Sequence, residues 1–493
     1  MTLRALVNGC TFDDFLLAPQ FSVVDRRDPA AIDLSARLTA RLTLKRPVVS
    51  ANMDTVTRAE MAIVMAEEGG IGIIDRGYRP GDIEPQVREV LKVKRTQHGV
   101  IPDPYTIPPN ASVAEARELM QRSRVGTLVV VGPDWRLRGL LTERDLRFVD
   151  ARDARVSDRM TPAERLVTHQ GPLDLAEAAR EMARHKIKKL PLVDAEGRLL
   201  GLTTAKDLVH QQRLPFATRD DQGRLRVGAA IGARGDYLER AAELMKAGVD
   251  LLVIDIAHGH STVMERALVQ ARTRFPEIDV IAGNVATAEG VTFLKERGAS
   301  GIKVGIGPGG GCTTRITTSF GVPQLQALAD CHSAAGDVPL IADGGIRRHG
   351  AIALALLCGG ATVMLGSAFA GTTEAPGEVV QKSVLLPESQ KAVKVPFKVL
   401  RGMASIEAIK DRLDVEDASE IDLQAIGAEG LEVSVPLRGS ARSVLHEMLK
   451  HLCSSISYGG AGSLGELRQR FSGDPGRFLI RLTESARRES YER

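Results

Sequence analysis

The chain has few aromatic side chains, few cysteines, no long apolar run and almost no excess of charge. Phe, Trp and Tyr make up 4% of its 493 residues, and 65 basic residues nearly balance 62 acidic ones. Because both signs are spread along the chain, we expect no nucleic-acid partner and no membrane partner. No stretch approaches the ~20 apolar residues of a membrane span, and acidic residues interrupt the N-terminus where a signal peptide needs an apolar core.

The cysteines have neither the spacing of a zinc site nor that of a disulfide framework. They are Cys10, Cys312, Cys331, Cys358 and Cys453. Scattered cysteines are typical of a reducing compartment, so we expect a cytoplasmic protein. The neighbouring pair His258 and His260 is accompanied by no third metal ligand in the sequence, which argues against a metal site there.

Short apolar runs alternate with amphipathic stretches after about residue 227. Such runs include "LLVIDIA" at 251–257 and "GIKVGIG" at 301–307, and the alternation predicts a parallel sheet covered by helices. Polar and glycine residues end these runs, as expected for a (β/α)8 barrel, whose chemistry lies at the carboxyl ends of its strands. A doubly wound sheet competes, but the chain has no strand–GxGxxG–helix unit. We therefore predict the α/β class and a (β/α)8 TIM barrel that begins near "RPVVSANMDTV" at 46–56.

Two copies of one unit interrupt the predicted barrel, over residues 98–150 and 155–212. They end in the similar segments "GLLTERDL" and "GLTTAKDL", and a duplication of this length predicts two supersecondary units packed face to face. Such a chain also exceeds the ~250–300 residues of a single core. We predict a first barrel segment at 1–93, an inserted module at 94–213 and a second barrel segment at 214–493.

The duplicated unit resembles a tandem CBS pair, also called a Bateman module, which binds adenine or guanine nucleotides. This resemblance implies phosphate and ribose contacts at Thr142 and Asp145 in one copy, and at Thr204 and Asp207 in the other. Purine nucleotides of the ATP or GTP type are the implied effectors. A module that serves packing or assembly alone is the alternative.

A glycine-rich loop, "VGIGPGGGCTTR" at 304–315, leads directly to a cysteine. Glycine lets the main chain turn sharply and brings its N–H groups close to a bound group. A thiol among such partial positive charges favours the nucleophilic thiolate. The alternative is a flexible surface loop that contains an incidental cysteine.

Two further strand ends have the composition of a phosphate site. Asp343–Gly345 and Gly366–Ser367 follow the runs that we assign to the seventh and eighth strands, where barrels commonly hold phosphate with backbone N–H groups. Asp343 is a suitable acceptor for ribose hydroxyls. The alternative is that these glycines only form tight turns.

Over nearly its whole length the chain resembles the IMP dehydrogenase/GMP reductase family. The resemblance rests on "TFDDFLL" (11–17), "ANMDTV" (51–56), "AHGHS" (257–261), "KVGIGPGGGCTTR" (303–315), "ADGGI" (342–346) and "RGMAS" (401–405). It implies that Cys312 adds to purine C2 to form a covalent thioimidate. Thr314 and Glu429 are implied to protonate the departing amine.

The same resemblance implies the binding residues. Those for the nucleotide, GMP or IMP, are Asn52, Met53, Gly311, Asp343, Gly344, Gly345, Gly366, Ser367, Gly402 and Met403. Those for the nicotinamide cofactor are Asp255, Ala257, Asn284 and Gly305. Carbonyl groups of Gly307, Gly309 and Cys312 are implied to hold a monovalent cation such as K+, and a homotetramer or homo-octamer is expected.

The residues point to one of the two family reactions. Dehydrogenases hydrolyse the thioimidate with an Arg-Tyr pair, but the aligned positions here are Glu416 and Asp417, and Asn52 also resembles the reductases. We therefore expect an NADPH-dependent GMP reductase. The alternatives are an IMP dehydrogenase with an atypical flap and a non-catalytic nucleotide sensor, although binding alone requires no thiol. Two departures from the family pattern are Gly310, where serine is usual, and Asp75-Arg76, where the reductases have His-Lys.

Overall fold

The computed structural model describes residues 2–96, 101, 104–123, 125–148, 154–171, 175–205, 208–209, 214–385, 392–411 and 427–491. The chain divides into two compact units. One comprises Met1–Lys94, Phe216–Asp220 and Leu225–Arg493, and the other comprises Arg95–Pro215 and Asp221–Arg224. In the part of the chain that is described, no helix has both the length and the apolar character that crossing a bilayer requires.

The first unit is built on a closed barrel of eight parallel strands, which confirms the predicted TIM barrel. In barrel order the strands are β1 (Val48–Ser50), β2 (Ile71–Ile74), β3 (Gly228–Ile231), β4 (Leu251–Asp255), β5 (Asp279–Val285), β6 (Gly301–Val304), β7 (Leu340–Asp343) and β8 (Thr362–Leu365). Pairing of β8 with β1, and of β2 with β3, closes the ring. The chain therefore crosses from β2 to β3 over more than 150 residues, among which the second unit lies.

Helices cover the outside of the barrel. They are α1 (Ala59–Glu67), α2 (Glu84–Arg95), α3 (Tyr237–Lys246), α4 (Thr262–Arg274), α5 (Ala288–Glu296), α6 (Gln324–Ala335) and α7 (His349–Leu357). Two of them begin at side chains that cap the first turn: Ser261 accepts from Met264 N–H before α4, and Thr287 accepts from Gly290 N–H before α5. Such caps satisfy N–H groups that have no partner within the helix.

Alternation of side chains along the strands separates two apolar layers. Ile71, Ile73, Leu251 and Val253 point into the barrel, whereas Leu252 faces the helices. This period of two is the one a pleated strand imposes. A short hairpin, Ala36–Arg37 with Thr43–Leu44, contributes to the interior cluster at its Leu38, Leu42 and Leu44 side chains.

The C-terminal part of the first unit adds a three-stranded antiparallel sheet, Val380–Leu385, Ala392–Arg401 and Glu432–Pro436. The long helix α8 (Ala441–Tyr458) follows, capped by Ser440, and then α9 (Leu464–Gly473). Residues of α8 at helical spacing are buried, among them Leu445, Met448, Leu449 and Leu452. This apolar stripe is what packs α8 against the barrel helices.

The second unit contains two similar halves. The first has a helix, Val113–Ser123, and a hairpin of Thr127–Val131 with Leu137–Thr142. The second has a helix, Leu175–His185, and a hairpin of Lys189–Val193 with Leu199–Thr204. Thr127 pairs with Thr142 in one hairpin as Lys189 pairs with Thr204 in the other. The two hairpins share an apolar cluster that includes Val129, Leu140 and Leu202.

Candidate active site

A cavity of about 420 Å³ opens at the carboxyl ends of the barrel strands. It is lined by every site residue predicted for the barrel: Asn52, Met53, Asp255, Ala257, Asn284, Gly305, Gly307, Gly309, Gly311, Cys312, Thr314, Asp343, Gly344, Gly345, Gly366, Ser367, Gly402, Met403 and Glu429. These residues come from widely separated parts of the chain, so the fold alone assembles them.

The loop after β6 is shaped by glycines that permit close backbone contacts. A Cβ atom at Gly305 would clash with the carbonyl oxygen of Asp343, and one at Gly402 would clash with that of Gly311. Only glycine allows these approaches. The first contact ties the loop to the end of β7, and the second brings the segment after Arg401 against the cysteine turn.

Cys312 is half-buried and belongs to a hydrogen-bonded row of three side chains. Its Sγ lies 3.1 Å from Thr314 Oγ1, which donates to Glu429 Oε2 at 2.6 Å. Backbone bonds fix the row, because Thr313 N–H donates to the Glu429 carbonyl and Cys312 pairs with Gly430 as in a β-bridge. A thiol, a hydroxyl and a carboxylate in hydrogen-bond contact can move a proton between the sulfur and the carboxylate.

Lys303 lies at the centre of a buried cluster of charges, which the sequence analysis did not predict. Its Nζ lies 2.9 Å from Asp255 Oδ2 and 3.1 Å from Asp343 Oδ2, and the side chain is only 2% exposed. Burial opposes its charge, but the two carboxylates raise its pKa above the ordinary value. A lysine within the apolar run "GIKVGIG" is itself the available signal, since a buried charge requires partners.

The amides of Asn52 and Asn284 complete this cluster. Asn52 donates to Asp255 at 2.5 Å, and Asn284 donates to Asp343 and to the Gly305 carbonyl, both at 2.8 Å. Burial alone would raise the pKa of Asp255, but Lys303 and Asn52 together lower it. The strand-end carboxylates are therefore held in fixed positions at the cavity wall.

The Asn284 side chain keeps one acceptor that the described residues leave unpaired. Its Oδ1 atom is buried and has no hydrogen-bond partner among the described residues. A buried acceptor without a partner costs free energy unless a ligand satisfies it. The cavity wall beside Asn284 carries the Asp255 carboxylate and the Arg76 guanidinium, polar groups that fit the amide and the phosphates of a nicotinamide cofactor.

The predicted phosphate loops have the required backbone form. Gly344 and Gly345 have φ of +86° and +80°, a conformation that glycine adopts without strain. At Gly310, the departure from the family pattern, an added Cβ would meet only Ser367 Cβ at 4.0 Å, so open space remains where the family usually has a serine side chain.

The two residues of the second departure, Asp75 and Arg76, lie in different surroundings. Arg76 lines the cavity and donates to the Asp255 carbonyl at 3.4 Å, whereas Asp75 is fully buried and is not among the lining residues. Arg58 Nε lies 3.4 Å from Asp75. Burial raises the pKa of Asp75 to about 6, partly offset by Arg58.

Burial of the Asp75 carboxyl group should make the stability of the protein depend on pH. Its folded-state pKa of about 6 exceeds the ordinary value of 3.8, so the folded protein binds the proton more tightly. Stability from this group is therefore present below about pH 4 and is lost as the pH rises to about 6, by roughly 3 kcal/mol. We expect the difference in unfolding free energy between the native chain and Asp75→Asn to fall across that range. The exposed Asp82→Asn is the control, and a difference independent of pH would contradict the burial argument.

The residues predicted in the second unit are only partly described. Thr142 Oγ1 donates to Asp145 Oδ2 at 2.6 Å, and the Thr142 N–H donates to the same carboxylate at 2.8 Å. This capping box begins the helix Glu143–Leu146. Thr204 ends the strand Leu199–Thr204. Asp207 lies outside the described residues, as do Glu416 and Asp417.

The chain matches the IMP dehydrogenase / GMP reductase domain over residues 9–492, and it belongs to this family of oxidoreductases. The family uses a nicotinamide cofactor and binds GMP or IMP.

Among the similar proteins, some are named IMP dehydrogenase and others GMP reductase. An inosine-5'-monophosphate dehydrogenase of Aquifex aeolicus is 43% identical over 492 residues, 99% of this chain and 96% of the relative. One from Halalkalibacterium halodurans is 42% identical and covers 98% and 95% of the two chains. A crystal structure of a cysteine-to-alanine variant of GMP reductase from Trypanosoma brucei, in complex with guanosine 5'-monophosphate, is similar with a TM-score of 0.86, at 36% identity over 98% of this chain and 97% of that one.

Proposed function

We propose that the protein is a GMP reductase, which converts GMP to IMP and ammonia with NADPH. The observation that carries the proposal is the segment between Gly402 and Glu429, where neither an Arg-Tyr pair nor any tyrosine occurs. Hydrolysis of a thioimidate requires a base that activates water. A site without that base is suited to the reductive reaction, in which water must not attack the intermediate.

The first step is carried by the row of Cys312, Thr314 and Glu429. Cys312 Sγ bonds to C2 of the purine, and the C2–N bond breaks. The departing amine needs one proton to leave as ammonia, and the thiol gives up one proton as it becomes bonded. Thr314 Oγ1, 3.1 Å from the sulfur and 2.6 Å from Glu429, supports transfer of that proton. Atoms and charge therefore balance without an outside acid.

The second step restores the thiol. When bound, NADPH supplies the hydride that reaches C2. The C2–S bond then breaks with its electron pair on the sulfur, and the Cys312 thiolate takes up one proton from solvent. The cofactor would lie along the wall that Asn284 shares with Asp255, Ala257 and Gly305. Arg76 adds a cation to this wall in place of the usual lysine.

The turn that carries Cys312 offers carbonyl groups for a monovalent cation. Gly309 O accepts the Cys312 N–H at 3.1 Å, which closes the turn and leaves the Gly309 carbonyl a second lone pair. Gly307, Gly309 and Cys312 would hold a cation such as K+, whose bound charge would stiffen the loop. The phosphate of GMP would rest on Gly344, Gly345, Gly366 and Ser367.

A direct assay separates the two family reactions. We expect GMP to drive NADPH oxidation with one ammonia released per turnover, and IMP with NAD to give little XMP. The IMP dehydrogenase reaction is the second candidate, because the curated sequence relatives are named for it. Overall identity does not decide between them, since both reactions share the barrel and the thiol. Sustained XMP formation would overturn the reductase proposal.

We also propose that residues 94–213 form a CBS pair that regulates the enzyme and takes no part in the chemistry. The described cavity lies in the first unit, which has its own closed barrel. A crystal structure of GMP reductase from Trypanosoma brucei contains guanosine 5'-triphosphate, and that chain is 34% identical to this one with a TM-score of 0.77. This complex supports a purine nucleotide as the regulatory ligand. ATP or GTP would alter the rate only by binding two states of the homo-oligomer, a tetramer or octamer, with different affinity.

Removing the insert tests its role. A chain rejoined near Arg95 and Leu214 should keep its GMP reductase rate within a fewfold and lose any response to ATP or GTP, because the barrel strands all lie outside the deletion. Circular dichroism checks that the shortened chain folds. A folded but inactive chain, or one that still responds to the nucleotide, would refute the assignment.

A further inference from the structure

Two histidines and a glutamate form a cluster on the helical layer of the first unit. They are His349, the first residue of α7, and Glu447 and His451 on α8. Their potential ligand atoms all lie within 4.8 Å of one another. The two imidazole rings are 4.8 Å apart between centroids, and His451 Nε2 lies 3.9 Å from Glu447 Oε1.

The fold explains why these three side chains meet. Glu447 and His451 are four residues apart on α8 and therefore lie on one face of it. The buried stripe of α8 packs this helix against α7, which brings the start of α7 to that face. His349 is half-buried, whereas Glu447 and His451 are 63% and 55% exposed. One ligand is thus held by packing, and the other two are able to adjust.

We propose that His349, Glu447 and His451 bind a divalent transition-metal ion, with zinc as the reference ion. Two imidazoles and one carboxylate are the donors that zinc takes in many proteins, with water as a fourth ligand. Around a tetrahedral zinc, ligand atoms lie about 3.4 Å apart. The distances between the ligand atoms therefore have to shorten by up to about 1.4 Å, a movement that rotation of two exposed side chains supplies. Arg438 acts electrostatically on His349, and the Glu447 carboxylate offsets that repulsion of a cation.

The position of the cluster predicts what metal binding does. Helix α7 follows the loop that carries Gly344 and Gly345, and α8 belongs to the C-terminal segment. An ion held by both helices links the two and stabilises the folded chain, because it binds the folded state alone. This inference does not depend on the proposed reaction, since the cluster is remote in sequence from Cys312 and is not among the cavity-lining residues.

The test is a zinc titration of the full chain in the Cys312→Ala background, which removes the partly exposed thiol as a competing ligand. The other four cysteines are buried. We expect one Zn2+ per chain by calorimetry, a rise in Tm, and d–d absorption of tetrahedral character when Co2+ replaces Zn2+. His349→Ala and His451→Ala should each weaken binding by at least about tenfold and abolish the rise in Tm.

His185→Ala is the matched control. Glu181 and His185 have the same spacing of four residues on a helix, with 3.8 Å between His185 Nε2 and Glu181 Oε2, and they are not part of a three-ligand cluster among the described residues. Its loss should leave the zinc stoichiometry and the Tm shift unchanged. No binding by the Cys312→Ala chain, or binding that His349→Ala and His451→Ala leave intact, would overturn the proposal.

Discussion

We expect Cys312→Ala to lower turnover by at least about 10⁴-fold, while GMP still binds with an affinity within a fewfold of the native chain. In the proposed reaction the sulfur forms the bond to C2, and alanine offers no replacement nucleophile. The phosphate and ribose, by contrast, are proposed to rest on Gly344, Gly345, Ser367 and Asp343, which the substitution does not touch. Calorimetry with GMP and a steady-state assay of NADPH oxidation measure the two effects separately.

Cys331→Ala is the matched control for Cys312. The Cys331 thiol is fully buried, burial raises its pKa to about 12, and it lies outside the cavity. We expect near-normal rates from this variant. Normal rates from Cys312→Ala would show that no covalent intermediate forms at this cysteine, and loss of GMP binding would show that the thiol turn holds the nucleotide.

Much of the barrel could be predicted because its signal is local. Each strand is a short apolar run, and a polar residue or a glycine follows where the run ends. Strand ends such as Asp255 and Asp343 can therefore be located in the sequence. Closure of a parallel barrel then brings all strand ends to one edge. That single geometric rule accounts for the assembly of residues as distant as Asn52 and Ser367 at one cavity.

The features that were missed depend on partners far apart in the chain. Lys303 is an isolated charge in an apolar run, and its role emerges only when β4 and β7 place Asp255 and Asp343 on either side. The cluster of His349, Glu447 and His451 requires the packing of α8 on α7, which no local periodicity specifies. Arg76 stands out in the sequence as a departure from the family pattern, but its place in the cavity wall depends on β4, where its guanidinium donates to the Asp255 carbonyl.

Glu429 was located by a sequence motif, but its contacts are known only from the structure. The sequence supplies only a glutamate before a glycine. In the structure, Glu429 N–H donates to the Ala404 carbonyl, and its own carbonyl accepts from Thr313. These bonds hold the main chain of Glu429 beside Thr313 and Thr314, so only rotation of the side chain is left to bring the carboxylate to the Thr314 hydroxyl.

Glu429→Gln should slow ammonia release by about 10²-fold or more, on the order expected for loss of a proton-transfer group. The amide oxygen can still accept the hydrogen bond that Thr314 donates at 2.6 Å, so the geometry of the row is preserved while its capacity to carry a proton is lost. Rapid-quench measurement of ammonia from GMP reports that step directly. Transfer of deuterium from C2 of labelled IMP to NADP+ reports the hydride step, which needs no proton from Glu429 and should proceed at a near-native rate.

The control is Glu432→Gln, three residues along the chain and exposed, which should leave both steps unchanged. Equal slowing of the two steps would mean that Glu429 only maintains the loop, whereas an unaffected ammonia step would remove it from the chemistry.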